Sequence, residues 1–237
     1  MLGNYITIDG VSSRTLGLFC KQLPMFPIAM QSFNNVTVGG RPDNLYQATG
    51  HYNDIIVDIE AVLVGLNTDS VIEWAANGEQ LVLSNQPTRY VDIKQLMSVE
   101  QKRTGNGALE FKLSFRCGPF KHGLGRERII VTTSPAYFQT VGNIYSEPLI
   151  VAQGCSDGFS MTLNGVSFAT TGLTGDIYID VPNRVVYQIV NGVKTAVQEH
   201  TVGNIWDLIL IPSTTEYNSL TYSGATSIEI KENERWL

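Results

Sequence analysis

Two pairs of acidic residues have a spacing that could act on a glycosidic bond. Asp58 and Glu60 alternate along one predicted strand, and Glu232 and Glu234 alternate along another. Paired carboxylates are the catalytic groups of most glycoside hydrolases, where one acts as the acid and the other as base or nucleophile. Acids at alternate positions are also typical of a solvated strand face, and we favour that interpretation for both pairs.

The other residue types that perform chemistry are scattered. His51, His122 and His200 lie far apart, and none has the local spacing of a zinc-binding motif. The chain has no GxSxG nucleophile elbow, no P-loop and no dinucleotide-binding fingerprint. The sequence therefore predicts no catalytic, cofactor-binding or metal-binding residues, and it predicts that the protein is not an enzyme.

Aromatic residues in the second half of the chain could form a platform for sugar stacking. Trp206, Tyr187 and Tyr222 are the candidates. Trp206 is followed by an apolar run at 208–211 that resembles a strand. We therefore expect Trp206 to be buried, and we keep a sugar site at Trp206 as the alternative.

The composition indicates which elements must position these residues. Charged residues make up 16% of the 237 residues and apolar residues 43%, and the sequence is rich in Val, Ile, Thr and Gly. Stiff β-branched side chains suit strands, and glycine suits turns, so a helical bundle is excluded. The apolar fraction also excludes a mostly disordered chain.

The charge of the chain argues against tight binding to nucleic acid. The formal net charge is −6, whereas a protein that holds phosphates needs a dense Lys/Arg surface. Residues 1–124 contain 10 basic and 11 acidic residues (−1), and residues 125–237 contain 6 and 11 (−5). The acidity lies mainly in the C-terminal half.

The cysteines and the apolar stretches indicate a cytoplasmic folding environment. Cys20, Cys117 and Cys155 are odd in number and lack CxxC spacing, which favours buried free thiols and leaves one disulfide as the alternative. Residues 1–10 do not have the pattern of a secretory signal, and the apolar stretch at 55–66 is too short and too charged for a membrane span. We expect a soluble protein without membrane insertion.

Alternation of apolar and polar residues predicts strands along most of the chain. The segment 109–116, LEFKLSFR, places four apolar residues on one face and four polar residues on the other. Segments 55–60 and 91–94 repeat the pattern, and Gly105-Asn106-Gly107 is typical of a hairpin turn.

One helix is predicted near Trp74. Ser70 and Glu73 fit a capping box, which would begin the helix at Ser70, and Gly78 fits its end. We expect Ile72 and Trp74, or their neighbours, to pack against a sheet.

The alternation of apolar and polar residues becomes irregular between about 120 and 135. Beyond this range the sequence contains many hairpin signals, such as Asn164-Gly165 and Asn191-Gly192. Short strands at this spacing are typical of an antiparallel sandwich or jelly roll. The predicted fold is all-β with one short helix. The predicted organisation is a first domain at 1–124, a linker at 125–135 and a second domain at 136–237.

The order of several short motifs resembles one family, the distal tail proteins of bacteriophages that have long, non-contractile tails and infect Gram-positive hosts. Each motif is a turn or a strand end, and together they extend over essentially the whole chain. The motifs are ITIDGV (6–11) with LGL (16–18), VGGRPDNLY (38–46) with the strand 55–64, Trp74 with LVL (81–83) and RY (89–90), LEFKLSFRCGPF (109–120), GN (142–143) with SEPLI (146–150), and RWL (235–237).

This resemblance implies an N-terminal β-sandwich domain similar to tail-tube proteins and a C-terminal galectin-like β-sandwich. It implies one hexameric ring, or two stacked rings, at the virion tail tip, assembled in the cytoplasm of the host bacterium. The implied partners are the tail tube protein, a tail-associated hub or lysin protein and a receptor-binding protein, with DNA passing through the channel without specific binding. It implies no cofactor.

A head-to-tail ring needs two different complementary patches on each subunit. We take Arg41, Glu110, Lys112 and Arg116 as candidate subunit-interface residues, since the polar positions of 109–116 form a mixed-charge face.

Two alternative functions stay open. One is a lectin-like carbohydrate-binding module of the tail tip that uses Trp206, and the other is a cell-wall hydrolase that uses paired carboxylates.

Overall fold

The computed structural model of the chain describes residues 3–40, 43–65, 68–104, 108–125 and 128–237. These residues form antiparallel sheets with one α-helix, so the all-β prediction is confirmed. The chain divides into two compact units. Unit 1 comprises Met1–Leu124 with Leu237, and unit 2 comprises Gly125–Trp236.

Unit 1 contains a seven-stranded sheet in its described part, with the order β2-β1-β7-β8-β9-β6-β3. Two further strands, β4 and β5, pair only with each other there. The elements of unit 1 are β1 (Ile6–Ile8), β2 (Val11–Ser12), β3 (Leu18–Gln22), β4 (Gln31–Val36), β5 (Leu45–Tyr52), β6 (Ile55–Leu63), α1 (Thr68–Ala76), β7 (Gln80–Leu83), β8 (Arg89–Arg103) and β9 (Leu109–Gly123).

The alternation seen in the sequence explains the core of unit 1. Along β6, every odd-numbered residue from Ile55 to Leu63 is buried, while Ile56, Asp58 and Glu60 are exposed. β9 pairs with β6 in register and buries Phe111, Leu113 and Phe115 on the same side. One face of the sheet therefore forms the core, and the other face is exposed and mostly polar.

The helix lies where the sequence predicts it, but it begins earlier. α1 starts at Thr68, so Ser70 lies inside the first turn and does not cap the helix. Asp69 in that turn is well placed, because a carboxylate is favourable near the positive N-terminal end of a helix. Val71 and Ala75 are fully buried, and Ile72 and Trp74 pack at the margin of the core. A Cβ on Gly78 would clash with Ile8, so the chain needs glycine there.

Unit 2 contains a six-stranded sheet with the order β10-β20-β12-β15-β16-β17 and a five-stranded sheet with the order β11-β19-β13-β14-β18. Both sheets contribute side chains to one apolar core that includes Ile150, Ile177, Phe168 and Leu220. The strands are β10 (Ile129–Val131), β11 (Ala136–Phe138), β12 (Leu149–Cys155), β13 (Gly158–Leu163), β14 (Val166–Thr171), β15 (Gly175–Asp180), β16 (Val185–Val190), β17 (Val193–Ala196), β18 (Thr201–Gly203), β19 (Asn218–Ser223) and β20 (Ser227–Lys231).

The range 125–135, expected to be a linker, is partly structured. β10 forms within it and pairs with β20 through Ile129–Ile230 and Val131–Ile228. The partner strand lies about one hundred residues further along the chain, so no local pattern could reveal the pairing.

Glu232 and Glu234 also differ from the expectation of a solvated face, since both are buried. Both lie beyond the end of β20 at Lys231, and Asn233 between them has a φ of 49°, in the left-handed region, so the alternation of a regular strand does not explain their burial.

All three cysteines are free and buried, as expected. Burial raises the pKa of Cys20 to about 11 and that of Cys117 to about 12, and it also raises the pKa of Cys155.

None of the helices in the described residues has the length and apolar character that crossing a membrane requires.

Candidate functional site

The exposed side of β3, β6, β9 and β8 forms a mixed-charge surface, which we call the polar face. The strand register places Asp58 opposite Ser114, Glu60 opposite Lys112, and Glu110 opposite Lys102. The charged residues of the polar face include Lys21, Asp58, Glu60, Glu100, Lys102, Glu110, Lys112 and Arg116.

Several of these charges are engaged within the polar face itself. Lys21 Nζ lies 2.5 Å from Glu110 Oε1, and this contact lowers the pKa of Glu110. Lys112 Nζ lies 4.0 Å from Glu100 Oε1, and the Ser114 hydroxyl donates to Asp58. The polar face therefore carries both positive and negative side chains, and several of them contact an oppositely charged or hydrogen-bonding side chain of the same face.

This arrangement bears on the predicted interface residues. Glu110, Lys112 and Arg116 do share one face of β9. Glu110 and Lys112 already have partners in their own chain, and Arg116 is exposed. Arg41 lies outside the described residues, as does the turn at 105–107, although β8 and β9 on either side of that turn pair as a hairpin.

The sheet has one long unpaired margin. β7 reaches β8 only as far as Asp92, so over 94–103 β8 has a described strand neighbour, β9, on one side only. At the other margin, β3 pairs with β6, and Asn4 accepts a hydrogen bond from the Cys20 amide on the far side. Unpaired edges are surfaces on which another chain can add a strand.

β4 and β5 form a second unusual surface, which we call the arm. Phe33 is 54% exposed and Tyr46 is 70% exposed, and Val36 and Leu45 are exposed as well. Between Gln22 and Asn53 the sequence has only Arg41 and Asp43 as charged residues. A two-stranded hairpin is marginally stable alone in water, so a hairpin that exposes large apolar side chains and has few charges is suited to being covered.

Trp206 contradicts the expectation of burial, since it is 61% exposed. It lies in a short 3-10 turn, Ile205–Asp207, where the Asn204 side chain accepts a hydrogen bond from the Trp206 amide. This turn directs Leu208 and Leu210 into the core and leaves the indole outside. The predicted strand at 208–211 does not form apart from a single bridge between Leu210 and Ser146.

The exposed indole is held by a charged network. The Arg184 guanidinium lies 4.4 Å from the centre of the Trp206 ring, and it also pairs with Glu147. Arg235 Nη2 is 2.6 Å from the other carboxylate oxygen of Glu147. Arg184 has a φ of 57°, in the left-handed region that few non-glycine residues adopt.

The other aromatic candidates are not platforms. Tyr187 is buried to 6% exposure, stacks on Tyr178 at 5.0 Å and lies under Lys194. The Tyr222 hydroxyl donates to the Val131 carbonyl. The ring of Tyr187 and the hydroxyl of Tyr222 are therefore occupied within unit 2.

The candidate chemical groups do not assemble into a catalytic site in the described residues. His122 Nε2 contacts Asp92 at 3.4 Å, while His51 and His200 lie on other elements. No group of three or more His, Cys, Asp or Glu side chains suited to a metal ion occurs there. Asp58 and Glu60 belong to the polar face beside Ser114 and Lys112.

Sequence reasoning missed the arm as a separate element. Its signal was available in the 32-residue stretch 22–53, which has one basic and one acidic residue. Sequence reasoning also missed Lys21 as the partner of Glu110, because the two residues are 89 positions apart.

Comparison with known proteins identifies the fold. No family model matches the chain, and no curated protein matches it by sequence. The chain is similar in structure to the Dit protein (gp 19.1) of phage SPP1, described as a paradigm of the hub adsorption apparatus in phages that infect Gram-positive bacteria. The TM-score is 0.73 at 15% identity, over 97% of this chain and 98% of that chain. The resemblance drawn from the sequence is confirmed at the level of the fold.

Proposed function

We propose that this chain is a structural distal tail protein, a baseplate hub component, of a bacteriophage with a long, non-contractile tail. The observation that carries the proposal is the fold shared with SPP1 Dit over almost the whole length of both chains. Six copies form a ring, single or as two stacked rings, at the tail tip.

The described surfaces of unit 1 support a ring. A head-to-tail ring needs two unlike patches on each subunit, and unit 1 offers the unpaired edge of β8 and the uncharged arm. Interface cores are depleted of charged residues, which fits the composition of the arm better than that of the polar face. In this proposal the subunits of the ring contact one another through the edge of β8 and the arm, rather than through Glu110, Lys112 and Arg116.

The ring has a connecting role and no catalytic one. It joins the tail tube protein to the tail-associated hub or lysin protein, supports receptor-binding components, and leaves a channel for DNA ejection. Unit 1 supplies the tail-tube-like ring domain, and unit 2 is the galectin-like domain. Assembly takes place in the host cytoplasm before the virion is released.

Size-exclusion chromatography with light scattering, followed by negative-stain microscopy, tests the ring. We expect a mass of six or twelve chains and six-fold particles with a central hole. A stable monomer at micromolar concentration would contradict the ring.

A second candidate function, carbohydrate binding, is favoured by the exposure of Trp206. An indole fixed from one side by Arg184 can offer its other face to a sugar ring. A broad depression of about 570 Å³ on the outer side of the five-stranded sheet is lined by Ser160, Thr162, Thr221 and neighbours, and its lining does not include Trp206. The indole would therefore have to bind sugar without an enclosing pocket, which makes this the weaker candidate.

A glycan array separates the two functions. If the lectin candidate holds, Trp206→Ala abolishes binding and Tyr217→Ala, an equally exposed aromatic control at 62%, leaves it unchanged. No binding by the native chain would remove the candidate.

A further inference from the structure

Two hairpin turns of unit 2 share their sequence and their backbone conformation. Asn164-Gly165 joins β13 to β14, and Asn191-Gly192 joins β16 to β17. Their φ angles are 50° and 85° in the first turn and 51° and 80° in the second, as Asn-Gly hairpin turns require. The flanking residues also match, since the two stretches are LNGV and VNGV. The other Asn-Gly steps are not matched to this pair, because Asn77-Gly78 follows α1 and Asn106-Gly107 lies outside the described residues.

The Asn164 side chain is held at both of its polar atoms. Its Nδ2 donates to the Ile209 carbonyl at 3.1 Å and to Asn218 Oδ1 at 2.8 Å. Its Oδ1 accepts a hydrogen bond from the Ser219 amide at 2.9 Å. Rotation of this side chain would therefore break all three hydrogen bonds.

The Asn191 side chain has the opposite surroundings. It is exposed, and within the part of the chain that the structure describes no hydrogen bond holds it. β17, which begins just after this turn, lies at the edge of the six-stranded sheet. The glycines of both turns are open, because a Cβ added at Gly165 or Gly192 would meet no atom within 4 Å. The two turns therefore differ in how firmly the Asn side chain is held.

An asparagine that can rotate and precedes glycine is able to react with its own backbone. The amide nitrogen of Gly192 loses its proton and attacks Cγ of Asn191, a C–N bond forms, and the side-chain nitrogen leaves as ammonia, which produces a cyclic succinimide. Water then opens the ring at either carbonyl and leaves aspartate or isoaspartate. The reacting atoms belong to adjacent residues, so the attack is intramolecular, and glycine has no Cβ to obstruct it. Water is the only co-reactant, and nothing is oxidised or reduced.

We propose that Asn191 is a site of spontaneous deamidation, and that the three hydrogen bonds of Asn164 protect that residue from the same reaction. The inference concerns unit 2 and does not depend on the proposed ring.

The modification changes the character of the hairpin tip. Residues 189–193, IVNGV, have no charge, and Ile189, Val190 and Val193 are exposed. Deamidation places a carboxylate among them, so covering this tip with another protein would then require a charge to be desolvated. Isoaspartate also lengthens the backbone of the two-residue loop, which sets the register of β16 against β17.

The test follows the peptides that contain Asn191 and Asn164 while the full chain is incubated at mildly alkaline pH. Mass spectrometry detects the replacement of NH2 by OH at each site, and fragmentation distinguishes isoaspartate from aspartate. A parallel incubation in guanidinium chloride is the control for sequence, because the unfolded LNGV and VNGV stretches have no tertiary contacts. Asn191→Asp is the standard for the aspartate product, since aspartate tolerates a positive φ.

In the folded chain, Asn191 should convert at least about tenfold faster than Asn164, because three hydrogen bonds must break before the Asn164 side chain can rotate. The rate at Asn191 should rise with pH, because hydroxide removes the proton of the Gly192 amide. In the unfolded chain the two sites should convert at similar rates. On ion exchange, the aspartate form that accumulates should elute with Asn191→Asp.

Two results would overturn the inference. A folded chain in which Asn191 is as inert as Asn164 would show that the free side chain does not react. Rates that differ as much in the unfolded chain as in the folded one would assign the difference to sequence, and the hydrogen bonds of Asn164 would not be the cause. A chain that forms no ring would remove the proposed function and leave this result standing.

Discussion

The arm and the polar face of unit 1 are both exposed in the single chain, yet their chemistry is opposite. The arm presents Phe33 and Tyr46, at 54% and 70% exposure, within a stretch that has one Arg and one Asp. The polar face has charges on alternate residues of β6 and β9, paired across strands. Exposure alone therefore does not identify an interface. In the proposed ring, the scarcity of charge on the arm and the local pairing of charge on the polar face favour the arm as the surface that another chain covers.

The largest expected effect comes from adding charge to the arm. Phe33→Asp with Tyr46→Asp should convert the proposed ring into monomers, because in a ring that covers the arm two carboxylates would have to be buried without partners. The measurement is light scattering of the purified protein.

The fold itself should survive this change, since both side chains are exposed and surface substitutions typically alter stability by less than about 0.5 kcal/mol. Ile189→Asp, at 46% exposure in unit 2, is the control and should leave the mass unchanged. Rings that persist in the arm variant would show that the arm is not a subunit contact.

The next effect separates the two sides of β9. Phe115 is fully buried, and Phe115→Ala should lower the free energy of unfolding of unit 1 by about 3–5 kcal/mol through lost burial and a cavity. Its neighbour Ser114 points to the polar face, and Ser114→Ala should cost at most about 1 kcal/mol for the hydrogen bond to Asp58. Urea denaturation measures both. Equal losses would contradict the assignment of Phe115 to the core and Ser114 to the exposed side of β9.

The smallest effect concerns the Lys21–Glu110 pair. Because Lys21 lowers the pKa of Glu110, the pair stabilises the fold above the ordinary pKa of glutamate, and this contribution is lost as the pH falls through the lower pKa of the folded state. Glu110→Gln should thus lower the melting temperature slightly at neutral pH, with a difference that shrinks below about pH 4 and at high salt. A difference that stays constant with pH would show that the pair is not the cause.

The strands of unit 1 could be predicted because their signal is local. Alternation along 55–63 and 109–116 identified β6, β9 and the side of each that is buried. The approximate position of α1 was likewise readable from the Ser70–Glu73 pattern and Gly78. The first residue of α1 could not be predicted, because Thr68 and Asp69 can extend a helix as readily as Ser70 can cap it.

The errors occur where distant parts of the chain decide the outcome. β10 exists through its pairing with β20, and the exposure of Trp206 depends on the Asn204 turn and on Arg184, a residue of another hairpin. Glu232 and Glu234 follow the end of β20, and the left-handed backbone at Asn233 between them could not be predicted from the local alternation. The low charge of the arm was visible in the stretch 22–53, but the separation of β4 and β5 from the large sheet depends on the overall topology, which no local pattern supplies.

The three buried cysteines have a practical consequence. Their thiols are shielded, and at neutral pH they remain protonated because burial raises their pKa values. A single cysteine placed at Ser114 or Tyr46 would therefore be the reactive thiol of the chain without removal of any native one. A dye, spin label or cross-linker attached at that position would report distances between neighbouring copies against a silent background.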